Sequence, residues 1–374
     1  MMYDVIIIGS GVMGLSVAKS LSESDLNIAV IDRDIPGMHA SYKAGGMLGA
    51  QNEFTYDSTL FRLALRAQRL FEPLQAELKQ QTGIDIEYQQ SGLIKLAAAP
   101  EDNEQVLQQQ SFLHRYHPAV RLLSEQELND ITHHTVTAPH LAAMHIPTDH
   151  QINANKYTKA LLKSIIQNGV ERYYQTEVTQ VEAQDTGYQV HTDQHGVLTA
   201  KQVIVAGGAW SNELVNEPEL DKAVTGVKGE VVLAEHKDLK LDTTIFMTNG
   251  CYIVPKTKHR FLIGATSYVN DYSVGVSSEG KDWLMSHTIK HIPDIAQSQI
   301  LKTWSGIRPY TRNEQPIMDE IQPGLFVITG HYRNGILLSP LVGQLMSEWV
   351  LNHQRPEAFT DFQFKRGERH EMHN

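Results

Sequence analysis

Val5 to Ile8 is an unbroken run of β-branched residues, the pattern of a strand buried on both faces. Gly9-Ser10-Gly11-Val12-Met13-Gly14 interrupts it, and Leu15 to Ser22 continues as a short helix. Ile28-Ala29-Val30-Ile31 is a second buried strand, closed by Asp32. The same apolar type returns at Val203-Ile204-Val205 and from Leu325 to Thr329, after which Ile336 to Leu351 predicts a long helix. Leu60, Leu63, Ala64, Ala67, Leu70 and Leu74 stand at helical spacing and predict a helix over 58–81. Ile84 to Leu96 reads as a strand, Glu101 to Tyr116 as a polar helix, and Ser124-Glu125-Gln126-Glu127 as the capping box of another. A helix over 155–167 closes on Asn168-Gly169, and strands centre on Val178, Val190 and Val197. Val227 to Leu233, Cys251 to Pro255 and Phe261 to Ala265 predict a second, antiparallel sheet.

The buried, parallel-type runs are far apart along the 374 residues. A nucleotide-binding domain is therefore expected to assemble from separated pieces, 1–50, 151–224 and 305–374. A substrate domain is expected from 51–150 and 225–304. The fold class is α/β, a Rossmann-like domain with a second α+β domain built on an antiparallel sheet. The polar tail from Arg366 to Asn374 is expected to fray.

Composition narrows the partners. A net charge of −11, from 43 acidic and 32 basic residues, argues against nucleic acid and anionic membranes, which need a positive field. Cys251 is the sole cysteine, so an intramolecular disulfide, a CxxC pair and a cysteine-based zinc site are excluded. The N-terminal apolar run lacks a basic leader and follows Asp4, and no stretch of 18 apolar residues occurs, so a cytoplasmic location is expected. There are 18 histidines but no HExxH spacing. His133-His134 cannot face one ion from a regular helix, and His370 and His373 lie in the tail, so no metal site is expected.

Gly9-x-Gly11-x-x-Gly14 sits between a buried strand and a helix, the context a dinucleotide fingerprint requires. Gly9 permits the tight turn, Gly11 lets a pyrophosphate approach, and Gly14 lets helix and strand pack. The diphosphate then meets the partial positive charge at the helix N-terminus. Asp32, 18 residues beyond Gly14, is placed to accept ribose hydroxyls and disfavours a 2′-phosphate. The fingerprint alone leaves NAD and FAD open. Ala206-Gly207-Gly208-Ala209-Trp210 and Gly330 before the last helix resemble places where flavoproteins bring backbone against FAD.

Ala44-Gly45-Gly46-Met47-Leu48-Gly49-Ala50, Val227-Lys228-Gly229-Glu230, Cys251-Tyr252-Ile253-Val254-Pro255 and Gly264-Ala265-Thr266 make the reading specific. Trp304-Ser305-Gly306-Ile307-Arg308-Pro309 and Gly330-His331-Tyr332-Arg333-Asn334-Gly335-Ile336-Leu337-Leu338 complete the set. Together they resemble the D-amino acid oxidase and sarcosine oxidase family of FAD-dependent oxidoreductases, on its glycine oxidase branch, which serves thiamine thiazole synthesis. The resemblance runs from residue 4 to about residue 350. It implies non-covalent FAD, O2 as electron acceptor, a small amino acid as substrate and a homotetramer. It also implies that Arg308 binds the substrate carboxylate, that Tyr252 adds a phenolic hydrogen bond, and that Arg333 lies near the substrate. Gly9, Gly11, Val12, Met13, Gly14, Asp32, Arg33, Ala40, Ser41, Gly45, Gly46, Met47, Val178 and Gly207 are the implied FAD contacts. His331, Tyr332, Arg333, Asn334, Gly335, Ile336 and Leu337 complete them at the flavin end.

The chemistry implied is loss of hydride from the amino acid Cα to the flavin, driven by a neutral amine and needing no strong general base. Arg308 then orients rather than reacts. Two departures bear on substrate: Gly250 stands where relatives carry histidine, and Ser267 where they carry methionine. Oxidation of sarcosine or D-amino acids, and a dehydrogenase with another acceptor, are the alternatives.

Overall fold

The computed structural model describes residues 2–215, 220 and 223–364. The tail from Arg366, with His370 and His373, lies outside the described residues. The chain forms two compact units: Met1–Tyr42, Thr158–Val227 and Arg308–Asn374 make the first, and Lys43–Tyr157 and Lys228–Ile307 the second.

The first unit is built on an eight-stranded sheet. Its main path runs Ile317–Gln322, Leu325–Thr329, Gly196–Val205, Met2–Ile8, Ile28–Ile31 and Glu171–Tyr173. Every neighbouring pair from Leu325–Thr329 onward is parallel. The strand Ile317–Gln322 adds an antiparallel edge, and the hairpin Val178–Gln184 with Gly187–Thr192 flanks Gly196–Val205. The two sequence signals at Val197 and Val203 therefore belong to one long strand. Register aligns Ile8 with Ile31 and with Val205, and Val205 with Val327. Three strands thus end level and Leu325–Thr329 runs two residues further, so Gly9, Asp32, Ala206 and Gly330 emerge from one edge. That carboxyl edge is where open parallel sheets bind ligands.

Helices Val12–Leu21 and Gly335–Asn352 pack closely because Gly343 has no side chain; a Cβ there would lie 2.7 Å from the Ser16 carbonyl oxygen. The second of these is buried except for a narrow stripe through Gln344, Glu348 and Asn352, which explains why the rest of its sequence is mostly apolar.

The second unit carries a nine-stranded, mostly antiparallel sheet. Its core pairs Val224–Glu235 with Arg260–Gly264, then Tyr252–Lys256, Thr244–Met247, Leu93–Leu96 and Ala143–Ile146. Thr244–Met247 and Leu93–Leu96 are the parallel exception. Ile94, Leu96, Ile245, Ile253 and Ile263 bury one face against Leu284 of helix Ser278–His291.

Local departures from the sequence pattern have physical causes. The helix expected over 58–81 is two, Thr59–Gln68 and Phe71–Thr82. Pro73 has no N–H to return to Arg69, so the chain breaks there and proline falls in a first turn, where it is tolerated. Over 84–96 the structure forms the strand Leu93–Leu96 and a single bridge from Gln89 to Gln151, because Glu87 (φ +54°) and Gly92 (φ +61°) turn the backbone away from extension. The capping box at Ser124 forms, with both reciprocal bonds to Glu127. Among the described residues no helix is long and apolar enough to cross a membrane.

Candidate active site

In the first unit the fingerprint forms a tight strand–turn–helix. Gly9 has φ +107°, and a Cβ there would run into the Ala206 carbonyl; a Cβ on Gly14 would run into the Gly9 carbonyl. These two glycines hold strand, loop and helix in contact, as a diphosphate-binding turn requires. Val12 and Met13 open the helix. The Val12 N–H donates to Ser41 Oγ at 2.9 Å, so the short helix Ala40–Lys43 closes over the same N-terminus.

Asp32 is tied into the glycine turn. Its Oδ2 accepts from both the N–H and the hydroxyl of Ser10 at 2.6 Å, and its Oδ1 accepts from the Asp34 N–H at 2.9 Å. A carboxylate has about four acceptor positions, so one remains for a sugar hydroxyl. Ser10 was missed from sequence; its only signal is a polar residue inside the glycine turn. Arg33 is exposed, and its guanidinium lies 4.4 Å from the Trp210 ring centre. Gly207 leads into the turn Gly208–Leu214, whose Gly208 carbonyl accepts from Thr329 Oγ1 at 2.7 Å. Val178 is buried at the start of its strand.

The segment after the last parallel strand is tightly held. Tyr332 adopts φ +46°, a left-handed conformation that side chains other than glycine rarely take. It is held there by its N–H to the Pro309 carbonyl (2.8 Å) and by its ring edge on Tyr310 (5.0 Å). The Arg308 guanidinium stands 5.9 Å from the Tyr332 ring centre. His331 is buried, and its Nε2 has no hydrogen-bond partner. Burial pushes its pKa down to about 3, so the ring is neutral. Asn334 precedes Gly335, Ile336 and Leu337, where the long helix begins without a side-chain cap. Arg333 is exposed in the same turn.

In the second unit, the Tyr252 hydroxyl lies between two glycines. Ideal Cβ positions on Gly45 and Gly264 would be 3.2 and 2.5 Å from it. Phe246 stacks on the Tyr252 ring with centroids 5.8 Å apart. Gly46 (φ +80°) packs on the Ile152 carbonyl, and Met47 pairs with Gln151. The Trp304 indole N–H donates to the Lys43 carbonyl at 3.0 Å, which marks it as a loop anchor. Asp149 ties down the chain just beyond, accepting from the N–H groups of Gln51 and Asn52 and from Gln68 Nε2. Burial pushes its pKa up to about 6 against those bonds. Cys251 sits in the core, and burial pushes its thiol up to about 11.

An uncapped helix start beside a partnerless buried histidine, together with a glycine turn at a second helix start, fits a large anionic dinucleotide. The chain matches the FAD dependent oxidoreductase family over residues 4–349, and it belongs to that family. FAD is its cofactor. Among relatives, it is 38% identical to the glycine oxidase of Geobacillus kaustophilus (strain HTA426) over 350 residues, 93% of each chain. The crystal structure of glycine oxidase from Geobacillus kaustophilus superposes with a TM-score of 0.94, at 37% identity, covering 98% of this chain and 99% of that one. The bifunctional protein ThiO/ThiG of Nostoc sp. is 27% identical over 386 residues, 98% of this chain and 55% of that protein.

Proposed function

We propose that the protein catalyses FAD-dependent oxidative deamination of glycine and other small amines or amino acids, with O2 as acceptor and hydrogen peroxide as product. The observation that carries this reading is the likeness to glycine oxidase over nearly the whole of both chains. The first unit is the FAD-binding domain and the second the substrate-binding domain. FAD is non-covalent, consistent with a buried, protonated Cys251.

Arg308 pairs with the substrate carboxylate through its planar fork, and Tyr252 adds a phenolic hydrogen bond. Both orient Cα, and neither transfers a proton to it. FAD supplies the two-electron acceptor when bound. The first-turn N–H groups from Gly335 to Leu337 favour negative charge placed against them. His331 is neutral, so it adds no charge of its own to that of the helix N-terminus. The imine product is hydrolysed to a 2-oxo acid and ammonia, or supplied for thiamine thiazole synthesis, a role that the likeness to ThiO/ThiG supports. The protein acts in the cytoplasm as a homo-oligomer.

A second reading, oxidation of sarcosine or small D-amino acids, is favoured by Gly250. Gly250 stands where relatives carry histidine, and no atom lies within 4 Å of where its Cβ would be. Anaerobic addition of glycine to the purified holoenzyme separates the readings. Bleaching of the flavin spectrum, restored by air with peroxide release, supports glycine. A spectrum bleached only by sarcosine or a D-amino acid replaces it.

A further inference from the structure

Lys256 ends the strand Tyr252–Lys256, half-buried as a residue with its ammonium enclosed. The Nζ donates to three oxygens: the Gly45 carbonyl at 2.8 Å, Gln151 Oε1 at 2.8 Å and the Ile152 carbonyl at 3.0 Å. An ammonium has three donors, so all are used. The acceptors come from two segments more than 100 residues apart. One carries Gly45, Gly46 and Met47; the other is the edge on which that loop rests, through the Ile152 N–H to the Gly46 carbonyl at 2.8 Å. Gln151 closes the arrangement, because its Nε2 donates to the Pro255 carbonyl at 2.6 Å. Gly45 is also one of the two glycines against the Tyr252 hydroxyl. Burial pushes the amine's pKa down to about 7, opposed by the charge of Glu87.

We propose that Lys256 is a positioning residue, whose ammonium pins the Gly45–Gly46–Met47 loop beside Tyr252 and thereby sets the seat of the flavin ring and the substrate. The proposal rests on the reading that this loop lines the flavin. Lysine suits the task as a compact point donor able to serve three acceptors arranged around it.

The test is Lys256→Met in the full chain, which keeps the stem and removes the donors. FAD affinity is read by fluorescence titration, the seating of the ring by visible circular dichroism of bound FAD, and glycine kinetics by peroxide release. The FAD Kd is expected to rise at least tenfold, the visible dichroism to change, and the KM for glycine to rise more than kcat falls. A lower Tm with unchanged FAD affinity and dichroism would overturn the proposal and leave Lys256 a structural residue. The flavin readouts need no turnover. They therefore judge Lys256 even where glycine fails to bleach the wild-type enzyme, an outcome that counts against the glycine reading alone. Where Lys256→Met does not fold, Gln151→Ala removes one acceptor and the Pro255 tie. It should raise the FAD Kd at least threefold, and an unchanged Kd and dichroism in that variant would overturn the proposal.

Discussion

Replacing Gly264 by alanine tests whether Tyr252 acts through its exact seat. A Cβ at position 264 would lie 2.5 Å from the Tyr252 hydroxyl oxygen, 2.6 Å from Cζ and 2.8 Å from one Cε. Ordinary contact needs about 3.5 Å, so the ring must retreat by roughly 0.9 Å. It has little room: Gly45 approaches the hydroxyl from another side and Phe246 stacks on the ring. Overpacking of this kind costs about 1–3 kcal/mol of stability. A misplacement near 1 Å in a positioning group costs up to ~100-fold in rate. Gly264→Ala should therefore lower kcat/KM for glycine between about tenfold and ~100-fold while still binding FAD. Steady-state peroxide release on FAD-saturated protein measures this, with thermal denaturation as the control for folding. A kcat/KM within twofold of wild type in a folded, FAD-loaded variant would refute the assignment of Tyr252 to the substrate.

Other outcomes follow from the same geometry. Arg308→Ala should raise KM for glycine and lower kcat together, and unchanged glycine kinetics would remove Arg308 from the site. Gly14→Ala drives a methyl into the Gly9 carbonyl and should raise the FAD Kd at least tenfold, read by flavin content after gel filtration. Asp149 titrates at about 6 when folded, above the roughly 3.9 of an unfolded aspartate. Its raised value means that the folded state holds the proton more tightly. Its contribution to stability is thus full below about pH 4 and is lost as pH rises through 6. The stability of wild type relative to Asp149→Asn should fall by up to about 3 kcal/mol between pH 4 and pH 7 in urea denaturation. A pH-independent difference would contradict the burial argument.

The family was legible in short motifs such as Gly264-Ala265-Thr266 and Trp304-Ser305-Gly306-Ile307-Arg308-Pro309, and the nucleotide-binding turn and helix starts were legible because their marks are local. A glycine turn between a β-branched run and a helix, an acid closing the next strand, and a capping box each depend on residues a few positions apart. The alternation of buried runs with polar segments likewise pointed to a discontinuous α/β fold. The helix over 58–81 misled because apolar spacing outweighed Pro73, whose missing N–H acts four residues back.

Tertiary structure decided what lies between distant segments. Register alone brings Ile8, Ile31, Val205 and Val327 level, so that separate turns open on one edge. No spacing rule announces that Tyr252 lies between Gly45 and Gly264, that Asp149 gathers Gln51, Asn52 and Gln68, or that Lys256 finds its acceptors at Gly45 and Ile152. A side chain's propensity is read from its neighbours in sequence, whereas its partner is chosen by chain packing across 100 residues or more. The sequence therefore specified which cofactor class the chain is built to hold, and packing selected the groups that hold the surrounding loops in place.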